Sequence, residues 1–187
     1  MSTHLPEWRG RSCTPSIITT SLQATEPWGE ILEDAPDTAA VIAAIGGGGL
    51  ITGLASAIKA RKPHIKVWGA EPETAAPAAR SFAQGSAQLF PNWAASFVDG
   101  AGGKSVLPRM WERMKSIVDG SIVVSLDQTK QALRLMAEKT RVIAEGAGAL
   151  ALAAALSGNA GPGPIIAIVS GGNIDLQKFC EILESTK

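Results

Sequence analysis

The chain has 187 residues, of which 45% are hydrophobic, long enough for one well-buried core. Lysine plus arginine equals aspartate plus glutamate at 17 each, so no global basic field draws the protein to nucleic acid or anionic lipid, and a small-molecule partner is the better expectation. The longest apolar runs, such as residues 147–156, fall far short of the roughly 20 residues that span a bilayer. Cys13 and Cys180 lie outside any metal-ligand spacing and no N-terminal apolar stretch resembles a secretory signal, so no membrane association and a reducing, cytoplasmic setting are expected.

Residues 1–24 mix Trp8, Arg9, Arg11, Cys13 and Pro15 with no helical or strand period, and residues 1–30 are read as a poorly defined tail. Residues 31–187 then alternate short β-rich runs with amphipathic runs, the pattern of a parallel α/β domain. A buried strand is predicted over 41–45. Four glycines follow it, after which Leu50, Ile51, Leu54, Ala57 and Ile58 recur at helical spacing until Pro63. The next strand is predicted over 65–70, reached by a right-handed crossover. Between residues 75 and 113 the interruptions at Gly85, Pro91, Gly100, Gly102, Gly103 and Pro108 leave no element predicted. A strand over 121–126 precedes a helix over 128–140, with Asp127 as its expected cap. The nearly uncharged run 147–156 reads as a buried helix, 158–164 breaks it, and 165–169 is a continuous apolar strand of the central parallel type ending at Ser170. No internal repeat is found. The fold class predicted is an open, mostly parallel twisted sheet flanked by helices.

Three features could carry chemistry. Gly46, Gly47, Gly48 and Gly49 stand between a strand end and a helix start, where bare backbone approaches an anion closely and the helix dipole adds to the attraction. The spacing does not satisfy the dinucleotide fingerprint, and no lysine followed by serine or threonine completes a nucleoside-triphosphate loop, so a monophosphate is the better fit. A turn serving only close strand–helix packing is the plainer alternative. Ser170-Gly171-Gly172-Asn173 follows a buried strand, at the edge where open α/β sheets bind ligands, although serine and glycine there also make ordinary turns. Glu145 stands among Ala144, Gly146, Ala147 and Gly148 at a helix start, either as a partner of the helix dipole or, given its small neighbours, facing a ligand.

In this order, and with Lys66-Val-Trp-Gly-Ala-Glu-Pro72 and Asp99-Gly100 between them, these features resemble the second half of the serine racemase and serine/threonine dehydratase family, the fold type II pyridoxal-phosphate enzymes, over residues 31–183. The resemblance implies the large cofactor-binding domain of such an enzyme. It implies that Gly46 to Gly49 and Leu50 hold the phosphate of pyridoxal 5′-phosphate, a loop that free phosphate or sulfate could also occupy. Ser170 would meet the pyridine nitrogen, Glu145 would lie near the ring and the amino acid substrate, and Gly100 and Gly171 would also bind the cofactor. The implied activity is β-elimination of a hydroxy amino acid to a keto acid and ammonia. A serine hydroxyl suits this because it can donate to an unprotonated ring nitrogen.

The family's cofactor-binding lysine lies in a Ser-Phe-Lys-X-Arg-Gly stretch upstream of the glycine loop. No such stretch exists in this sequence, and residues 1–45 contain no lysine. Lys104, the one lysine in a glycine-rich setting, reads as a solvated loop residue. The expectation is therefore an upstream half that is absent, no catalytic residue in this chain, and inactivity alone. Self-association, or association with that half, would cover the surface left open. The alternative is a non-catalytic phosphate- or metabolite-binding or assembly domain derived from the fold. In racemase-like members a divalent cation is held by a glutamate after the strand and an aspartate six residues later; Glu71 matches the first, but Pro77 takes the second place. No metal is expected, with Glu71 a weak candidate and Glu73 and Thr74 the only oxygen donors beside it.

Overall fold

The computed structural model describes residues 16–19 and 32–185. Five strands form one sheet: β1 (Ser16–Thr19), β2 (Ala40–Ala44), β3 (Lys66–Pro72), β4 (Gly120–Val124) and β5 (Ile165–Val169). Their order is β1-β5-β2-β3-β4, and every neighbouring pair is parallel. Among the described residues, these helices join or follow them: α1 (Gly49–Arg61), α2 (Pro77–Gln84), α3 (Pro108–Met114), α4 (Leu126–Thr140), α5 (Gly146–Leu156) and α6 (Leu176–Glu184). The open, parallel α/β class expected from the sequence is the fold observed. No helix among the described residues is long and apolar enough to cross a membrane.

Side chains alternate across a strand, and the core divides accordingly. Val41, Ala43, Ile45, Val67, Ile166 and Ile168 pack on α1, α2 and α3. Ala40, Ile42, Ala44, Ile122, Val124, Ala167 and Val169 pack with α4, α5 and α6 on the other face. The all-buried burial of β2 and β5 follows from having helices on both sides. Helix α5 is the most enclosed of the helices, with ten of its eleven residues buried, and it lies against β2, β3, β4 and β5. Only small residues and leucine allow so close a seat.

Three expectations need correction. Within the stretch read as a tail, Ser16–Thr19 pairs with β5 as an edge strand; residues 1–15 and 20–31 lie outside the described residues. The blank region holds α2 and α3, each with a proline in its first turn. A proline ends most helices it enters, whereas a helix's first turn tolerates it because its amide has no partner to lose. Asp127 does not cap α4. Ser125 does, accepting from the Gln128 amide at 3.1 Å while the Gln128 side chain accepts from the Ser125 amide at 2.8 Å, a reciprocal capping box.

The N-terminal edge of the sheet is closed by a charge cluster. Asp119, just before β4, accepts from Lys59 Nζ, Lys66 Nζ and the Val67 amide, each at 2.8 Å, tying the end of α1 to the starts of β3 and β4. Burial alone would raise the Asp119 carboxyl, but the hydrogen bonds from Lys59, Lys66 and Val67 hold it below the ordinary aspartate value. A lowered carboxylate contributes stability that is present above its ordinary value and is lost as the pH falls through the lowered one. Asp119→Asn is therefore expected to cost about 1–2 kcal/mol at neutral pH, the scale of losing charge-assisted hydrogen bonds at a half-buried group. It should also flatten the acid limb of an unfolding-midpoint-against-pH curve. An unchanged acid limb would refute this role.

Candidate cofactor site

The strand order reverses between β2 and β5. From β2 the chain moves outward through α1 to β3, while β5 returns to β2's other side after α4 and α5. In open α/β sheets that switch point, at the strands' C-terminal ends, forms the ligand crevice. The parallel pairing of β2 with β5 runs from Ala40–Ile165 to Ile42–Ala167, so the glycine loop that follows β2 and the Ser170-Gly171 turn that follows β5 leave the sheet at the same edge.

The glycine loop is shaped for open backbone. Gly48 has φ +88°, a left-handed conformation that disfavours any side chain, and a Cβ there would also lie 2.5 Å from Met110 Cγ. A Cβ on Gly47 or Gly49 would meet nothing within 4 Å, so that side of the loop is unobstructed. The amides of Gly46, Gly47, Gly48, Gly49 and Leu50 donate no hydrogen bond within the described residues. They include orphan donors of a helix's first turn, the group that an anion satisfies. The half-buried Leu50 turns its side chain toward the α1 face of the core.

Three further segments close on this edge. The Gly102 amide donates to the Ile45 carbonyl at 2.9 Å, and a Cβ on Gly46 would sit 3.0 Å from the Gly100 carbonyl, so residues 100–102 lie directly against the loop's first glycine. Glu145 precedes α5, and its amide donates to the Gly171 carbonyl at 3.1 Å. The Glu145 carboxylate is half-buried, and Cβ atoms built on Gly100 and Gly171 would both run into it. Gly148, in the first turn of α5, seats on the Gly171 backbone so closely that a Cβ there would strike the Gly171 carbonyl oxygen. Gly46, Gly100, Glu145, Ser170 and Gly171, four separate stretches of sequence, thus meet in one place. The half-buried Ser170 hydroxyl has no hydrogen-bond partner among the described residues.

Glu71 is not part of this edge. It is fully buried, and its carboxylate accepts from the Ala78 and Ala79 amides at 2.9 and 2.8 Å and from Ser121 Oγ at 2.8 Å. Burial pushes its carboxyl above the ordinary value against the pull of those three donors. The weak metal candidacy of Glu71 is corrected on this ground: its oxygens satisfy the orphan amides at the start of α2. Of its neighbours, Glu73 accepts from the Leu126 amide at 2.8 Å, and the Thr74 hydroxyl lies 3.5 Å from Ser96 Oγ. Among the described residues no group of three or more His, Cys, Asp or Glu could hold a metal ion. Lys104 is exposed, as expected, and its ammonium stacks 4.8 Å from the Trp93 ring centroid. Residues the sequence reading missed are Thr52, whose hydroxyl reaches back to the loop carbonyls, and Met110 and Met114 beneath Gly48. A threonine four positions after a loop glycine, at the start of a helix, is a signal for the first. The methionines carry none.

Fold and edge together define a doubly wound α/β domain with an open cradle of unpaired backbone amides at its switch point. A protein-family model described as "Pyridoxal-phosphate dependent enzyme" matches residues 24–171. The L-threonine ammonia-lyase of Thermotoga maritima is 36% identical over 155 residues, covering 82% of this chain and 38% of that protein. The catabolic L-threonine dehydratase of Escherichia coli K12 is 37% identical over 157 residues, covering 82% and 47%. Among solved structures, the threonine deaminase of T.th. superposes with a TM-score of 0.75 at 36% identity, covering 80% of this chain and 55% of that one. Maize serine racemase superposes at 0.73 and 34%, covering 83% and 49%. The chain belongs to the pyridoxal-phosphate-dependent enzyme family, in its threonine dehydratase and serine racemase branch, and spans about half or less of the length of these curated relatives.

Proposed function

We propose that this chain is the cofactor-holding part of a hydroxy-amino-acid ammonia-lyase, which releases a keto acid and ammonia by β-elimination. The observation that carries the reading is the row of unpaired amides from Gly46 to Leu50, with Gly48 left-handed and Ser170 at the same sheet edge. These residues fit pyridoxal phosphate: the amides would hold its phosphate, and the Ser170 hydroxyl would donate to its unprotonated pyridine nitrogen. When bound, the cofactor supplies the electron sink for loss of the substrate's α-proton. The Glu145 carboxylate, held by the backbone bond to Gly171 and walled by Gly100, would face the ring and the amino acid. Residues 1–45 carry no lysine and Lys104 is exposed, so the covalent anchor and proton-abstracting base would come from an upstream half. Association with that half, or with a second copy, would cover apolar side chains such as Leu89 at 72% and Leu176 at 67% exposure. The exposed free thiol of Cys180 suits a cytoplasmic setting.

Phosphate titration followed by amide chemical shifts tests the reading. Saturable shifts should appear at residues 46–50 with phosphate, sulfate or pyridoxal phosphate, and Gly48→Ala should abolish them. Flat titrations with all three would remove the basis for the cofactor assignment.

A further inference from the structure

Thr52 lies in the first turn of α1, half-buried, and its hydroxyl is aimed back at the glycine loop rather than outward. Thr52 Oγ1 donates to the Gly48 carbonyl at 2.7 Å, with the Gly49 carbonyl also within reach at 3.0 Å, and the Thr52 amide donates to the same Gly48 oxygen at 3.1 Å. Met110 Sδ stands 3.9 Å from the hydroxyl and closes that side. The hydroxyl has one proton, and it is committed to these carbonyls. The Gly48 carbonyl belongs to the same peptide group as the Gly49 N–H, and the Gly49 carbonyl to the same group as the Leu50 N–H. Hydrogen bonds to a peptide oxygen polarise the whole unit and strengthen its N–H as a donor.

We infer that Thr52 is a positioning residue that pins Gly48 in its left-handed conformation and sharpens the Gly49 and Leu50 amides as donors to a bound phosphate. This rests on the cradle reading above but assigns a role to a side chain that would not touch the ligand. The reach-back bond is local, joining residues four apart, so it sets loop geometry without support from the rest of the fold.

The experiment compares Thr52→Val, Thr52→Ala and Thr52→Ser with the unmodified chain. Inorganic phosphate and pyridoxal phosphate serve as probes, read by amide chemical shifts, affinity and thermal midpoint. Thr52→Val and Thr52→Ala are expected to weaken phosphate binding about five- to tenfold, the effect of one hydrogen bond. They should also move the Gly49 and Leu50 amide protons upfield before any phosphate is added. Thr52→Ser should restore both. Wild-type affinity with unmoved amide protons in the valine variant overturns the inference, as does a serine variant no better than valine. If the unmodified chain itself shows no phosphate response, the cradle reading fails separately, and the ligand-free amide shifts still decide whether Thr52 polarises the loop.

Discussion

Gly148→Ala is expected to cost about 2–3 kcal/mol of stability, the upper part of the usual range for overpacking, and to abolish ligand-induced shifts at Ser170 and Gly171. The new methyl group would strike the Gly171 carbonyl oxygen and lie 3.3 Å from the Gly171 nitrogen and carbonyl carbon. All three are backbone atoms, so no rotamer change can relieve the contact. Helix α5 cannot retreat either, because ten of its eleven residues are buried against the sheet and α4. The strain must fall on the Gly171 turn and on the 3.1 Å bond that it accepts from the Glu145 amide. Gly53→Ala is the control. A Cβ there meets nothing within 4 Å, and in the middle of α1 alanine is favoured over glycine by roughly 0.5–1 kcal/mol. Denaturant unfolding of the two variants should therefore move in opposite directions. A Gly148→Ala protein as stable as the unmodified chain would show that the α5 contact with the turn is looser than its geometry implies.

The second large effect concerns turnover. Supplied with pyridoxal phosphate and serine or threonine, the chain by itself is expected to release no keto acid above the free-cofactor background and to form no borohydride-reducible cofactor adduct. A positioned general acid or base is typically worth about 10²- to 10⁴-fold, and a covalent anchor adds to that. The covalent anchor has no candidate among residues 1–45, which lack lysine, and a base that is the same lysine is lost with it. Adding a relative's upstream half, with its lysine, in trans should restore both signals. Should a reducible adduct form with this chain alone, Lys104→Ala tests the one lysine in a glycine-rich loop. Persistence of the adduct in that variant would leave the proposed division of labour without support.

The cradle was legible in the sequence because its signals are local. A glycine run after an apolar strand, and serine-glycine-glycine after another, announce open backbone at strand ends whatever lies around them. That the two ends are neighbours is a matter of sheet order, and it reached the sequence reading only through family resemblance. Helices α2 and α3 were missed because they are eight and seven residues long and begin with prolines that elsewhere end helices. Ser125 lost to Asp127 as the expected cap because the serine–glutamine pair three residues apart was overlooked. Glu71 illustrates the opposite limit. A carboxylate after a strand reads equally well as a metal ligand or a helix anchor, and only the fold brings the Ala78 and Ala79 amides to it. The seat of Gly148 on Gly171 is likewise invisible until the helix is laid against the turn.

The clasp of Asp119 with Lys59 and Lys66 closes the sheet at the strand starts, whereas the glycine cradle opens at the strand ends. A five-residue strand such as β2 separates them by about 16 Å, at roughly 3.3 Å per residue. Energetic effects at sites that far apart, with no shared partner, ordinarily add. The protein therefore offers an engineer two independent dials. Durability can be adjusted through the charges around Asp119, and the proposed phosphate affinity through Gly48 and its neighbours, without either setting disturbing the other.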